Sequence, residues 1–155
     1  MMPDWAVDKS GLKEVLHHLQ DCDSAFHPPL SRRVDLASYA EKLVRQSLRV
    51  EAWDGDRLVG LVAVYCNDPG QGTAFVSNVS VSPDFARQGI ARHLLQAAIA
   101  HVRALGFQRL HLEVDPQALP ALRLYDSLGF QPTGGDQPSP VRLGLDLSTG
   151  AARNA

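Results

Sequence analysis

The stretch Val79-Ser80-Val81-Ser82-Pro83-Asp84-Phe85-Ala86-Arg87-Gln88-Gly89-Ile90-Ala91-Arg92 changes its periodicity partway along. Its first residues are β-prone and end at a proline. From Gly89 onward, Ile90, Leu94, Leu95, Ala98, Ile99, Val102 and Leu105 recur at helical spacing, and Gly106 follows as a stop signal. The segment reads as a strand, a proline-containing turn and a long amphipathic helix. N–H groups in the first turn of a helix have no partner within it, and the helix dipole adds partial positive charge there. Gly89 and Ala91 leave that backbone open to close approach, while Arg87 and Arg92 flank it. The turn suits a pyrophosphate-bearing ligand. It also suits an ordinary helix start whose small residues serve packing.

Working outward, Ser10 reads as the cap of a helix running to about Asp21, and Asp35 as the cap of a second, with Leu36, Tyr39, Leu43 and Val44 on its apolar side. Between them Phe26-His27-Pro28-Pro29-Leu30-Ser31-Arg32-Arg33 is irregular, because the double proline forbids a helix. Leu48 to Trp53 and Arg57 to Cys66 flank Asp54-Gly55-Asp56 and read as a hairpin. Thr73 to Val81 is a further strand. Past the long helix come a strand from Arg109 to Val114, a short helix marked by Leu119, Leu122, Tyr125 and Leu128, and two closing strands, Phe130 to Pro132 and Val141 to Leu147. A first short strand precedes Ser10. Strands clustered before a strand–helix–strand–helix segment predict an α/β (α+β) fold with a mixed sheet and helices on its faces.

The chain has 155 residues, 45% hydrophobic and 21% charged, with a formal net charge of -2. This predicts one domain over residues 1–147 with a loose tail over 148–155, and disfavours a disordered chain or a strongly basic nucleic-acid binder. Charge is uneven: residues 84–109 carry four arginines against one aspartate. Such an island fits a small anionic ligand, and equally a solvated helix face. Cys22 and Cys66 show no metal-ligand or disulfide-framework spacing. The longest apolar run, Val59 to Cys66, falls far short of the roughly 20 residues that span a bilayer, so no membrane partner is expected and a cytoplasmic location is. There is no GxxxxGK[ST], and Gly70-Gln71-Gly72 does not begin a GxGxxG that opens a helix, which disfavours a nucleotide kinase or a Rossmann dehydrogenase.

The stretch from Val79 to Leu95 resembles the acetyl-CoA signature of the GNAT N-acetyltransferase superfamily, Arg/Gln-x-x-Gly-x-Gly/Ala. Leu112-Glu113-Val114 through Leu124-Tyr125-Asp126-Ser127-Leu128-Gly129-Phe130 resembles the family's second half. The resemblance implies a strongly twisted sheet of about seven strands, flanked by about four helices and splayed between Thr73–Val81 and Arg109–Val114. A pantetheine arm would enter that gap, bonded to the backbone around Val79, Ser80 and Val81. Arg87, Gln88, Gly89, Ile90, Ala91 and Arg92 would hold the pyrophosphate. Two positions depart from the pattern: Ala86 stands where Arg or Gln is usual, and Ala118 where many relatives carry Asn.

The same resemblance implies an acetyl-CoA-dependent acyltransferase acting on a primary amine, with acetyl-CoA as co-substrate and no metal. Tyr125 would face the CoA sulfur and supply a proton to the leaving thiolate; the competing reading is a core aromatic. Strand alternation puts Arg109, His111, Glu113 and Asp115 on one face. A carboxylate buried there would be costly, which suggests that Glu113 has a task, and in some relatives the corresponding Glu is a general base. The alternative is a salt bridge or a hydrogen-bonding post. Spacing of roughly 13 Å along the strand makes His111, Glu113 and Asp115 a poor metal site. His17 and His18 are expected at the surface, and His93 and His101 on solvated helix positions. Phe26, Arg32, Arg33 and His111 are candidates for the acceptor site, with the arginines able to grip a carboxylate or phosphate. Gln131-Pro132-Thr133-Gly134-Gly135-Asp136 lacks the aromatic stretch typical of relatives that acetylate protein N-termini, so a small-molecule amine is favoured. A non-catalytic acyl-CoA sensor and a homodimer stay open.

Overall fold

The computed structural model describes residues 3–26, 28–133 and 140–148. Among them the strands form a seven-stranded sheet in the order β1-β2-β3-β4-β5-β7-β6, and four α-helices join them. The strands are β1 (Asp4–Val7), β2 (Leu48–Asp54), β3 (Arg57–Tyr65), β4 (Thr73–Val81), β5 (Arg109–Val114), β6 (Gln131–Pro132) and β7 (Val141–Asp146). The helices are α1 (Leu12–Cys22), α2 (Leu36–Gln46), α3 (Ile90–Ala104) and α4 (Leu119–Ser127). The mixed sheet and helix count match the expectation. Pairing of β4 with β5 is parallel, while β1–β2, β2–β3, β5–β7 and β6–β7 are antiparallel. His27, residues 134–139 and the tail from 149 lie outside the described residues.

The chain divides into two compact units: Met1–Tyr65 with Ser77–Ala98, and Cys66–Val76 with Ile99–Ala155. In the first, β3 (RLVGLVAVY) is buried along almost its whole length, as its unbroken apolar run requires. One apolar cluster joins Val15 and Leu19 of α1, Ala40 and Leu43 of α2, and Trp53, Leu58, Leu61 and Ala63 of the hairpin. Gly60 allows α3 to approach closely: a Cβ there would stand 2.9 Å from Ile90 Cγ2 and 3.1 Å from Leu94 Cδ1. The hairpin turns through Gly55, whose φ of 59° is the left-handed value that a two-residue loop demands.

Asp35 caps α2 as expected, accepting from Ser38 N–H at 2.9 Å. Ser10 does not cap α1. Gly11 holds that position and donates its N–H to Glu14 Oε1 at 2.8 Å. Ser10 is drawn away because its N–H and hydroxyl both bond the carboxylate of Glu51, 41 residues distant. Glu51 also accepts from Lys9 N–H (3.0 Å) and Trp53 Nε1–H (3.1 Å), and faces Arg49 Nε at 3.4 Å. Arg49 in turn donates to the Val44 and Leu43 carbonyls that end α2.

In the second unit, β5 alternates as predicted: Leu110, Leu112 and Val114 are buried, whereas Arg109 and Glu113 are exposed and His111 is half-buried. Gly72 O accepts from both Gln108 and Arg109 N–H, joining the turn before β4 to the start of β5. Gly129, at φ 99°, ends α4 and returns the chain to Phe130, which packs edge-on against Tyr125.

Candidate functional site

The predicted ligand-binding residues of the first unit follow one another along β4 and the turn into α3. Val79 and Val81 are half-buried on one face of β4, and Ser80 is buried on the other. Ser82 N–H donates to Val59 O at 2.8 Å, and a single 3₁₀ turn over Pro83–Phe85 leads to Ala86. Arg87 and Gly89 then both adopt left-handed backbone, φ 65° and 78°. Helix α3 begins at Ile90, and its first ladder bond runs from His93 N–H to Gly89 O.

Alternating hands of backbone turn successive N–H groups toward one concavity, the geometry that binds anions. A Cβ on Gly89 would meet nothing within 4 Å, so the turn has room beside its backbone. Arg87, Gln88, Gly89 and Arg92 are exposed, Ala91 is half-buried, and Ile90 is buried as the helix's anchor. Glycine at position 89 was legible in the sequence. The left-handed arginine was not, since nothing in an Arg-Gln pair signals positive φ. The residues fit a phosphate-bearing group. The turn is also tied down by Arg57, which donates to Asp84 (3.3 Å) and to Asp21 of α1 (3.2 Å).

The chain connecting α1 and α2 carries the acceptor candidates. Phe26 is half-buried and packs on the apolar cluster of the first unit. Asp23 accepts from Ser31 N–H and Oγ–H, both at 2.7 Å, which holds its carboxyl below the usual range and fixes the turn over Leu30–Arg32. Arg32 and Arg33 are exposed on that turn.

In the second unit Tyr125 is 7% exposed on α4, and burial pushes its hydroxyl up to about 12, so it is a neutral O–H at all ordinary pH. His111 and Glu113 share a face of β5. Glu113 stands in register with Arg142 of β7, and His111 with Gly144, where an added Cβ would strike its ring at 3.0 Å. Burial, and then the charges of Arg142 and Arg109, lower the His111 pKa. Glu113 is exposed, not buried, so the cost of burying a carboxylate gives no reason for a task there. Ala118 is the N-cap of α4 and supplies no side-chain cap; the turn before it is held by Asp115, which accepts from Gln117 N–H at 2.8 Å.

Expectations for the histidines divide. His93 and His101 are exposed, though His93 also stacks on Trp5 with ring centroids 3.7 Å apart. His18 is buried, against the surface position expected for it. Its ring nitrogens meet Leu58 O and Ser80 Oγ on two strands, contacts that helical periodicity within α1 does not reveal. Among the described residues, no group of three His, Cys, Asp or Glu is placed to hold a metal ion, and no helix is long and apolar enough to cross a membrane.

Comparison with known proteins follows the same lines. The profile of the acetyltransferase (GNAT) family matches residues 12–130. The uncharacterized N-acetyltransferase YsnE of Bacillus subtilis is 37% identical over 82 residues, 52% of this chain and 53% of that protein. A mycothiol acetyltransferase of Geodermatophilus obscurus is 36% identical over 83 residues, 51% of this chain and 27% of its own length. The chain thus spans about half or less of these curated relatives. Among solved structures, the ribosomal-protein-S18-alanine N-acetyltransferase of Escherichia coli superposes with a TM-score of 0.73 at 21% identity, covering 93% of this chain and 94% of that one. The PaiA N-acetyltransferase of Thermoplasma acidophilum, solved in complex with coenzyme A, gives 0.69 at 14% identity, covering 92% and 99%. At these identities the superpositions establish the fold.

Proposed function

The chain belongs to the acetyltransferase (GNAT) family, and from that premise we propose that it moves an acetyl group from acetyl-CoA directly to a primary amine of a small molecule. The observation that carries this reading is the left-handed pair Arg87 and Gly89 ahead of α3, a ready concavity for a pyrophosphate with space beside Gly89. Arg87, Gln88, Gly89, Ile90, Ala91 and Arg92 would hold the pyrophosphate, and the backbone of Val79, Ser80 and Val81 the pantetheine arm. The parallel ladder of β4 with β5 runs over Thr73–Phe75, which supports giving the later part of β4 to the ligand.

Acetyl-CoA, when bound, supplies an activated thioester. The rest falls to side chains of this chain. A neutral amine is needed for attack, and Glu113, exposed on β5, takes the amine's proton directly or through a water. Tyr125 keeps its own proton because of burial, and so presents an O–H to the departing sulfur. With a pKa near 12 it acts chiefly by donating a hydrogen bond to the developing thiolate, and completes the transfer only as negative charge accumulates there. Phe26, Arg32 and Arg33 in the first unit, and His111 in the second, are the candidates for contacting the acceptor.

A second acceptor class draws support from the fold shared with the Escherichia coli alanine acetyltransferase: the α-amine of a protein N-terminus. Residues Gln131-Pro132-Thr133, without an aromatic run, favour the small amine. The test is thiol release from acetyl-CoA across parallel panels of small amines and N-terminal peptides, with Tyr125→Phe beside the wild type. Small-amine turnover that falls at least about 100-fold in Tyr125→Phe at unchanged fold supports the reading. Peptide turnover alone selects the second class. Binding of CoA with no turnover of any amine leaves a sensor domain, and no binding removes the cofactor assignment.

A further inference from the structure

His18 lies on α1 and has no role assigned above, yet it grips the side chain of Ser80 on β4, whose backbone with that of Val79 and Val81 is given to the pantetheine arm. Its Nδ1–H donates to Leu58 O of β3 at 3.1 Å, and its Nε2 meets Ser80 Oγ of β4 at 2.8 Å. Ser80 Oγ is also 2.7 Å from Asn78 Oδ1, so its single proton goes to Nε2 or to Oδ1, and the two acceptors compete for it. The Cys22 thiol, one turn along α1, closes the cluster at 3.6 Å from Nε2. His18, Asn78 and Ser80 are all buried, which makes each bond costly to lose. One imidazole thereby links α1 to β3 and to β4.

Resting on the cofactor assignment above, we propose that His18 is a positioning residue for coenzyme A: by holding the Ser80 side chain from the core side, it sets the peptide planes on either side of residue 80 that face the pantetheine arm. No contact between His18 and the ligand is implied. The effect passes through the Ser80 hydroxyl, so it belongs to the Nε2 bond and not to the Nδ1 bond.

Two substitutions separate the bonds. Glutamine places its amide near the Nε2 position, and asparagine near the Nδ1 position. His18→Asn is expected to raise the KM for acetyl-CoA and the Kd for CoA about tenfold, the scale of one lost buried hydrogen bond, with kcat within about twofold. His18→Gln is expected to stay within about threefold of wild type, even where its melting temperature falls as far as that of His18→Asn. Ser80→Ala should match His18→Asn, and the double variant should be no worse than either single one. Amide hydrogen exchange over residues 79–82, measured without ligand, should quicken in His18→Asn and not in His18→Gln. Equal KM changes in the two His18 variants, in step with their stability, would show a merely structural histidine and overturn the proposal, as would unchanged exchange over 79–82. Failure of the wild type to bind CoA overturns the cofactor assignment instead, a result visible before any variant is made.

Discussion

Replacing Glu51 by glutamine should be among the most damaging single-atom changes available in this chain. Both carboxylate oxygens are engaged: Oε1 accepts from Lys9 N–H, Ser10 N–H and Trp53 Nε1–H, and Oε2 from Ser10 N–H and its hydroxyl, with Arg49 Nε at 3.4 Å. Whichever oxygen becomes an NH2 therefore faces donors. The side chain of Glu51 is 0% exposed and that of Arg49 6%, so water cannot replace the lost charge. Breaking a buried pair from one side costs about 3–5 kcal/mol, a large share of the 5–15 kcal/mol that holds a typical domain. At a urea slope of about 2 kcal/mol per molar, the midpoint of Glu51→Gln should fall by about 2 M. Arg49→Met should also be costly, because it removes the donors to the Val44 carbonyl and to Ser10 O and Oγ. The double variant should then lose less than the sum by at least about 1 kcal/mol, since each single change already strands the partner. Urea unfolding of the four proteins at neutral pH decides the matter. A loss below about 1 kcal/mol for Glu51→Gln, or simple additivity, refutes the network as described.

Three further outcomes follow from other sites. Burial lowers the His18 pKa to about 4, so as pH falls from 6.5 the unfolded chain takes up a proton that the folded one refuses. Stability should drop over that interval by about 3 kcal/mol more in wild type than in His18→Gln, in unfolding curves taken between pH 7 and pH 4, with the neighbouring Asp21, Arg57 and Cys22 common to both. Gly89→Ala meets no atom within 4 Å but must hold φ near 78°, so it should cost about 1–2 kcal/mol and, by placing a methyl beside the turn, weaken CoA at least about tenfold in calorimetric titration. Gly60→Ala drives a methyl to 2.9 Å from Ile90 and 3.2 Å from Ala52, and should lower stability by about 1–3 kcal/mol on thermal unfolding.

What the sequence discloses here is what neighbours along the chain determine. Asp35, Gly106 and Gly129 mark helix ends by their own side chains or lack of one, and each does so in the structure. The bounds of β4 and β5 follow from period and flanking breakers. Ser10 shows the limit: its type fits a cap, but a carboxylate 41 residues away offers more bonds than the first turn of α1. His18 differs: it shares the i, i+3, i+4, i+7 face of Val15, Leu19 and Cys22, so spacing points inward while polarity points to solvent, and only Leu58 and Ser80 explain why spacing prevails. In the candidate site, Gly89 was readable and the hand of Arg87 was not. The alternation of β5 was right, while the exposure of Glu113 depends on what covers that face, which no local pattern encodes.

Trp5 and Trp53 are the chain's two indoles, and their surroundings differ in a way an optical measurement can use. Trp53 is 4% exposed and bonded to Glu51, a shielded emitter that reports on the integrity of the apolar cluster. Trp5 is 37% exposed and lies face to face with His93, whose N–H makes the first ladder bond of α3, to Gly89. As the more exposed indole it should emit to the red of Trp53, and its stack on His93 places it one ladder bond from Gly89. The fold carries its own spectroscopic gauge of events at Gly89, with the second indole as an internal standard.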